Sequence, residues 1–308
     1  MLLLPSQRSG LYIFERARIY QRHGRVEDTC DEGREPRSFA LPHANAVFVI
    51  IGPGSSITTE AVRQLKSEGV CLGFSGSGGA PLLMADEPYF MSPADEYRNP
   101  SYLQRWIGFW PDADKRLAAA KVLMRHRIAV VESCWADTTF DAPWPTTPTK
   151  ALDAFYKAID RASAIQNLLG DEGAFTKALY KAAATSANMT GFSREPRSST
   201  SITDANTTLD HGNYLAYGLA HVVLWTLGLS PSLPLTHGNT RRGALVFDIA
   251  DVIKDGIILP LAFNFAARAS ADGLTETDFR SACIDAFDRH KALTLMFDAV
   301  EAAITEAA

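Results

Sequence analysis

Three aspartates recur within one apolar segment in the C-terminal third of the chain. Asp248, Asp251 and Asp255 are spaced i, i+3 and i+7, so a helix over residues 246–259 would place them on one stripe. Ionised carboxylates among apolar neighbours cost several kcal/mol unless they are exposed, paired or bound to a cation. Lys254 can pair with Asp251 but cannot neutralise all three acids. The spacing is therefore compatible with a divalent-metal site or with an ordinary solvated acidic face.

A glycine-containing loop with a histidine precedes this segment and reads Leu235-Thr-His237-Gly-Asn-Thr-Arg-Arg-Gly243. Such a loop can carry the imidazole of His237 back over the first helical turn, beside Asp248 or Asp251. Imidazole and carboxylate ligands together suit Mn²⁺ or Mg²⁺. The alternative is a loop histidine that binds no metal.

A second candidate is the acidic pair in Gly170-Asp171-Glu172-Gly173, between the apolar residues 165–169 and the basic, helical residues 175–181. Flanking glycines let a substrate or another backbone approach the acid closely. The alternative is a helix junction with exposed acids.

The N-terminal part has strand patterns. Residues 11–30 partly alternate around His23-Gly24, which predicts a hairpin. The apolar, β-branched run 46–51 predicts a strand inside a sheet. Gly52-Pro-Gly54 is interpreted as a turn, followed by a short helix over 60–66 and a strand over 70–74.

The remainder is predicted to be all α. Proline-rich residues 86–100 are interpreted as a linker, with a domain boundary near residue 95. Beyond it helical spacing dominates. Two apolar stripes that face the core are predicted. The segment 214–229 is too short to span a membrane and indicates a buried helix. The stripes consist of Leu117, Ala120, Leu123 and Met124, and of Leu152, Phe155, Ile159 and Ala162.

Composition describes a globular chain of 308 residues, 46% hydrophobic and 21% charged. The net charge of -5 argues against a generally basic nucleic-acid binder, although local arginine clusters can still bind phosphate. No secretory signal is recognised at residues 1–5, so we expect a cytoplasmic protein. The four cysteines lack metal-ligand spacing and are expected to be free, packed thiols. The arginine clusters are Arg16, Arg18, Arg22 and Arg25, then Arg194 with Arg197, then Arg241 with Arg242.

Taken together, the motifs resemble the CRISPR-associated protein one family, the adaptation integrases, and most of all its I-F subtype. The resemblance rests on six stretches that span nearly the whole chain. They are Leu41-Pro-His-Ala-Asn45, Gly52-Pro-Gly-Ser-Ser-Ile-Thr58, Gly69-Val-Cys-Leu-Gly-Phe74, Gly170-Asp-Glu172-Gly173, Asp210-His-Gly-Asn-Tyr214, and His237-Gly-Asn-Thr-Arg-Arg-Gly243 with its continuation to Asp248-Ile-Ala-Asp251-Val-Ile-Lys254.

The resemblance implies an α+β protein. A small β-rich N-terminal domain, residues 1–95, would mediate dimerisation and precede a larger all-α catalytic domain, residues 96–308. It implies a homodimer that assembles with a CRISPR-associated protein two subunit, fused in this subtype to a helicase-nuclease. No membrane association is expected.

The resemblance also implies site residues. Glu172, His237 and Asp251 would be catalytic ligands of Mg²⁺ or Mn²⁺, with Asp248 as a further catalytic acid. Asp171 is not the matching acid. Arg241, Arg242 and Lys254 would contact double-stranded or branched DNA.

The implied activity is a metal-dependent DNA endonuclease/integrase that joins the 3′-hydroxyl ends of captured fragments, the spacers, into the repeat array by transesterification. Two enzymatic alternatives use the same residues, a branched-DNA repair nuclease and a transposon-type integrase of the same family. A third alternative is a dimeric DNA-binding scaffold without catalysis, which would bind DNA equally with or without metal.

Overall fold

The computed structural model describes residues 10–30, 37–42, 45–75, 100–137, 144–189, 191–195, 201–238 and 243–308. A β-rich N-terminal part precedes a part that, over the described residues, contains helices and no strands. This confirms the predicted α+β class and its order. The linker and the boundary near residue 95 lie almost entirely outside the described residues.

The N-terminal part contains two small sheets and one helix. One sheet has the order β1-β5-β7 with parallel pairs, and the other has the order β4-β3-β2-β6. The elements are β1 (Gly10–Phe14), β2 (Ala17–Arg22), β3 (Arg25–Cys30), β4 (Arg37–Ala40), β5 (Ala46–Ile51), β6 (Ser56–Ile57), α1 (Thr59–Ser67) and β7 (Cys71–Phe74).

The local predictions for this part are confirmed except at residues 11–14, which were expected in the hairpin but form β1 and pair with β5 in the other sheet. β2 and β3 form an antiparallel hairpin, and both turn residues, His23 and Gly24, have positive φ angles of 50° and 75°. Positive φ at both positions is what a two-residue type I′ turn requires. The Thr58 hydroxyl caps α1 by accepting from the amide of Ala61 at 3.3 Å.

Strand β5 is buried along its whole length and connects the two cores of the molecule. Its Val49 and Ile51 belong to a core formed by the two sheets and α1, whereas Phe48 belongs to the core of the helical part. Phe48 lies so close to Gly218 that a Cβ there would meet its ring at 3.0 Å.

Ten helical elements, counting one π-helical turn, form the part from residue 100 onward that is described. They are α2 (Ser101–Phe109), α3 (Ala113–Trp135), α4 (Thr149–Arg161), α5 (Ile165–Ser186), α6 (Ala205–Leu227), α7 (Ala244–Ile253), the π-helical turn (Lys254–Ile258), α8 (Leu259–Asp272), α9 (Glu276–Arg289) and α10 (Ala292–Ala307).

These helices pack around α3, α6 and α7, and both predicted apolar stripes are buried. Helix α6 contains most of the segment predicted to be a buried helix and ends at Gly228, whose φ of 67° suits a left-handed cap. Cys71, Cys134 and Cys283 are free, buried thiols, as predicted. Across the described residues, no helix combines the length and the apolarity needed to cross a membrane.

The continuous helix predicted over residues 246–259 is interrupted. The amide of Leu259 donates to the carbonyl of Lys254, five residues back, because the Asp255 carbonyl accepts from the Trp135 indole at 2.9 Å. A side chain that takes a carbonyl out of the helical ladder produces this kind of π-helical turn. Asp248 and Asp251 remain one turn apart on α7 and both lie beside His237, whereas Asp255 lies in the π-helical turn and pairs with Arg127.

Candidate functional site

Residues 235–237, which precede α7 in the chain, are held by the carboxylate of Asp248, whose side chain is completely buried. Its oxygens accept from the backbone amides of Leu235, Thr236 and His237 at 2.6, 3.2 and 3.1 Å, and from the Thr236 hydroxyl. Asp248 also lies 2.7 Å from Nδ1 of His237. The predicted return of the imidazole over the helix is confirmed, with Asp248 as the group that orients it.

The other ring nitrogen of His237 faces the next turn of α7. Nε2 lies 3.9 Å from Oδ2 of Asp251, and the other oxygen of Asp251 forms an ion pair with Nζ of Lys254. Lys254 also donates to the Tyr217 hydroxyl at 3.4 Å and lies 5.1 Å from the centre of that ring. Lys254 is therefore engaged inside the site.

The electrostatics of this group follow from burial and charge together. Burial alone would raise the pKa of Asp251, but Lys254, Arg127 and His237 together lower that pKa. Burial alone would lower the pKa of His237, but the hydrogen bond to Asp248 and the charge of Asp251 raise that pKa. Asp251 is thus held as a carboxylate, and His237 binds a proton more readily than an ordinary histidine does.

Glu172 lies within α5, one turn before Thr176, and not at a helix junction. Its Oε1 accepts from Nη1 of Arg127 at 2.7 Å and from the Thr176 hydroxyl at 3.1 Å. The neighbouring Asp171 instead pairs with Arg161 at 3.2 Å at the surface. Glu172 is consequently the acid of this pair that belongs to the buried polar network.

Arg127, which the sequence analysis did not single out, joins Glu172 to the π-helical turn. Its Nε and Nη2 lie 2.6 and 2.5 Å from Oδ2 of Asp255. Burial raises the pKa of Asp255, and the charge of Asp251 adds to this, although Arg127 opposes both. The signal that could have indicated Arg127 is its position, since it continues the apolar stripe of Leu123 and Met124 one turn later.

Each predicted ligand has one polar atom fixed by the protein. These atoms are Oε1 of Glu172, Nδ1 of His237 and Oδ1 of Asp251. Neighbouring donor atoms of an octahedral Mg²⁺ ion, bound at about 2.0–2.1 Å, stand about 3 Å apart, so Nε2 of His237 and Oδ2 of Asp251, at 3.9 Å, would move closer together to share one cation. Among the described residues, however, no three histidines, cysteines or acids are grouped tightly enough to form a metal centre. Among the described contacts, Arg127 joins Glu172 to Asp255, and its charge also acts on Asp251.

A cavity of about 950 Å³ opens beside Glu172 along the C-terminal half of α5. Lys177 and Lys181, one turn apart and exposed, lie along its wall. Arg194 lies across from them, but its guanidinium is engaged by Asp210 and Asn206. The two lysines give the cavity a positive rim next to the acidic site.

The other arginine clusters are described only in part. Arg241, Arg242 and Arg197 lie outside the described residues. In the N-terminal part, Arg18, Arg22 and Arg25 are exposed on the β2–β3 hairpin, consistent with a surface cluster.

The fold is that of known Cas1 structures. The Cas1 protein of Thermotoga maritima matches with a TM-score of 0.71 at 14% identity, over 96% of each chain. A TtCas1–DNA complex matches with a TM-score of 0.68 at 23% identity, over 96% of this chain and 91% of that one. A casposase bound to an integration product matches with a TM-score of 0.66 at 14% identity, over 96% and 90%.

Sequence comparison gives the family. The profile of the family described as CRISPR associated protein Cas1 matches residues 11–286. The CRISPR-associated endonuclease Cas1 of Pseudomonas aeruginosa is 42% identical over 97% of this chain and 94% of its own length, and that of Pectobacterium atrosepticum is 40% identical over 97% and 93%. The chain belongs to the Cas1 family, as the motifs indicated.

Proposed function

We propose that this protein is a metal-dependent DNA endonuclease/integrase of CRISPR adaptation, which joins the 3′-hydroxyl ends of captured DNA fragments into a repeat array by transesterification. The observation that carries the proposal is the arrangement of His237, whose Nδ1 is held by Asp248 while Nε2 faces Asp251 at 3.9 Å. A carboxylate behind a histidine fixes the ring orientation and tautomer of a metal ligand. Membership in a family of named endonucleases supports the same chemistry.

Glu172, His237 and Asp251 would hold Mg²⁺ or Mn²⁺. When bound, such an ion lowers the pKa of the attacking hydroxyl and neutralises charge on the phosphate oxygens. His237 acts as a neutral ligand, Asp248 keeps its ring oriented, and Lys254 holds one oxygen of Asp251 so that the other is available. Buried, pre-oriented groups of this kind act without reorganising during the reaction.

The DNA substrate and the partners are part of the proposal. Double-stranded and branched DNA would reach the site along the cavity rimmed by Lys177 and Lys181. Arg241, Arg242 and Lys254 are retained as proposed DNA contacts. The N-terminal part would form a homodimer that assembles with the CRISPR-associated protein two subunit, fused in this subtype to a helicase-nuclease. The DNA complexes of TtCas1 and of the casposase, which share this fold, support the DNA part.

A strand-transfer assay tests the proposal. Labelled short duplexes with free 3′-hydroxyls are incubated with a supercoiled plasmid that carries a repeat, with the partner subunit present, in Mn²⁺ or in excess chelator. Joined products are expected in Mn²⁺ and not in excess chelator. Metal-dependent cleavage without joining would instead identify a nuclease. A protein that binds DNA equally with and without metal, and that neither cleaves nor joins it, would be a scaffold.

Stabilisation by Mn²⁺ should depend on the protonation of His237. Because the folded pKa of His237 is raised, its proton stabilises the metal-free fold fully below about pH 6.5, and this contribution is lost as pH rises through the folded pKa. Mn²⁺ must displace that proton. The Mn²⁺-induced rise in unfolding temperature should therefore be small at about pH 5.5 and large at about pH 8. Thermal unfolding with and without Mn²⁺ measures it. His237→Gln should have a flatter profile, and a pH-independent rise in wild type would contradict the assignment.

The lysine rim should contribute phosphate contacts. Replacing both Lys177 and Lys181 by Ala should weaken DNA binding and reduce the slope of log K against log salt by about 2, since each phosphate contact contributes about 0.9. Fluorescence anisotropy over a salt series measures this slope. The matched control replaces Lys150 and Lys157, exposed lysines of α4 outside the cavity wall, by Ala. Equal slopes for the two double variants would rule out the cavity as the DNA path.

A further inference from the structure

Arg127 is a cation enclosed by the core, with only 4% of its side chain exposed. It projects from the middle of α3 and reaches two other elements. Nη1 donates to Glu172 of α5 at 2.7 Å, Nη2 donates to the Thr176 hydroxyl at 2.8 Å, and Nε donates to Asp255 of the π-helical turn at 2.6 Å. The planar, forked guanidinium is suited to hold two carboxylates in a fixed relation, which a lysine cannot do.

We propose that Arg127 is a positioning residue that sets the location of the Glu172 carboxylate relative to Asp251. The inference rests on the proposed metal-dependent function and assigns a role to a residue outside the proposed ligand set. Arg127 acts on both sides of the site, because its charge lowers the pKa of Asp251 while its guanidinium holds Glu172.

Helix α3, from which Arg127 projects, packs tightly against the π-helical turn. Helix α3 contacts the π-helical turn so closely that a Cβ on Gly256 would lie 2.7 Å from Cγ1 of Val130 and 2.9 Å from its backbone. At the C-terminal end of α3, the Trp135 indole donates to the carbonyl of Asp255. The element that follows Asp251 and the arginine that holds Glu172 therefore share one scaffold.

The contacts of Glu172 show what is being positioned. Both described hydrogen bonds of its carboxylate go to Oε1, one from Arg127 and one from Thr176. Oε2 is the oxygen left for a cation. The arrangement parallels that of His237, where Nδ1 is held by Asp248 and Nε2 faces Asp251.

Geometry and charge can be separated by substitution. Removing the positive charge would by itself favour cation binding, whereas misplacing Glu172 would weaken it. Arg127→Lys keeps the charge and loses the fork, so it isolates the geometric role. Outer-shell partners of metal ligands typically change metal affinity by about 10- to 100-fold, and we expect Arg127→Lys to weaken Mn²⁺ binding about tenfold.

The test is a double-mutant cycle on the Mn²⁺ dissociation constant of the full chain, measured calorimetrically for wild type, Arg127→Lys, Glu172→Gln and the double variant. If Arg127 acts through Glu172, Arg127→Lys changes the affinity little once Glu172 is already Gln. Thermal unfolding of each variant verifies that the titrations are made on folded protein. Thr176→Val replaces the hydroxyl by a methyl group and is a milder second substitution. Its effect on the Mn²⁺ dissociation constant should also disappear when Glu172 is already Gln.

Each outcome decides between the inference and its alternatives. Non-additive losses for both variants support positioning. Losses that add to that of Glu172→Gln overturn the inference and leave the proposed metal site intact, because Arg127 would then affect Mn²⁺ binding independently of Glu172. An affinity unchanged by Glu172→Gln alone would overturn both the inference and the proposed ligand set.

Discussion

Asp251→Asn is expected to reduce strand transfer at saturating Mn²⁺ by at least about a thousandfold, the equivalent of the several kcal/mol that a bound cation contributes to a phosphoryl transition state. The asparagine has nearly the same shape but lacks the charge. It would leave His237 without the acid 3.9 Å from Nε2. The rate of joining is measured in single-turnover assays, so that loss of chemistry is separated from slow product release.

The same substitution has a cost in stability that must be measured with it. Lys254, whose pKa Asp251 raises although burial opposes this, would lose its carboxylate partner and retain the Tyr217 hydroxyl. Breaking a buried pair costs about 3–5 kcal/mol, and the remaining amide oxygen should reduce this. Asp285→Asn, in an exposed position of α9, is the matched control and should join DNA at the wild-type rate. Joining by pure, folded Asp251→Asn at a rate near wild type would remove Asp251 from the site.

Local signals in the sequence were sufficient for the N-terminal elements. A buried β-branched run, a His-Gly turn and a threonine cap each act within a few residues, so they can be recognised without the tertiary structure. β5, the β2–β3 hairpin and α1 are all found where these signals indicate. The predicted juxtaposition of His237 with Asp248 is of the same kind, since only eleven residues separate them.

Local sequence signals could not predict which groups compensate the charge of the buried carboxylates. Lys254 and a metal ion were the expected sources of positive charge, but Arg127 faces Asp255 from 128 residues away and Glu172 from 45 residues away. Asp248 needs no cation, because backbone amides and a hydroxyl surround it. Burial of the three aspartates is therefore not by itself evidence for a metal, and the geometry of His237 carries more weight.

The π-helical turn escaped prediction for a related reason. Residues 246–259 have a helical pattern throughout, and nothing local distinguishes Asp255 from its neighbours. The cause is a contact with α3, where the Trp135 indole takes the Asp255 carbonyl. As a consequence, Asp251 and Asp255 face different partners, one within the candidate site and the other within the core.

Gly256→Ala should be among the most destabilising single substitutions in the helical part, because an added Cβ would meet the backbone carbonyl of Val130 at 2.9 Å. Overpacking costs about 1–3 kcal/mol when side chains can yield, and a backbone contact has less room to yield. The free energy of unfolding is measured by chemical denaturation. Gly108→Ala in α2 is the control, since nothing lies within 4 Å of its added Cβ, and it should be neutral or stabilising by up to about 1 kcal/mol.

Because the π-helical turn carries Asp255, which anchors Arg127, Gly256→Ala should also weaken Mn²⁺ binding in protein that remains folded. Equal stability of the two alanine variants would show that α3 does not hold the turn, and the site would then have to derive its geometry from α7 and the His237 loop alone.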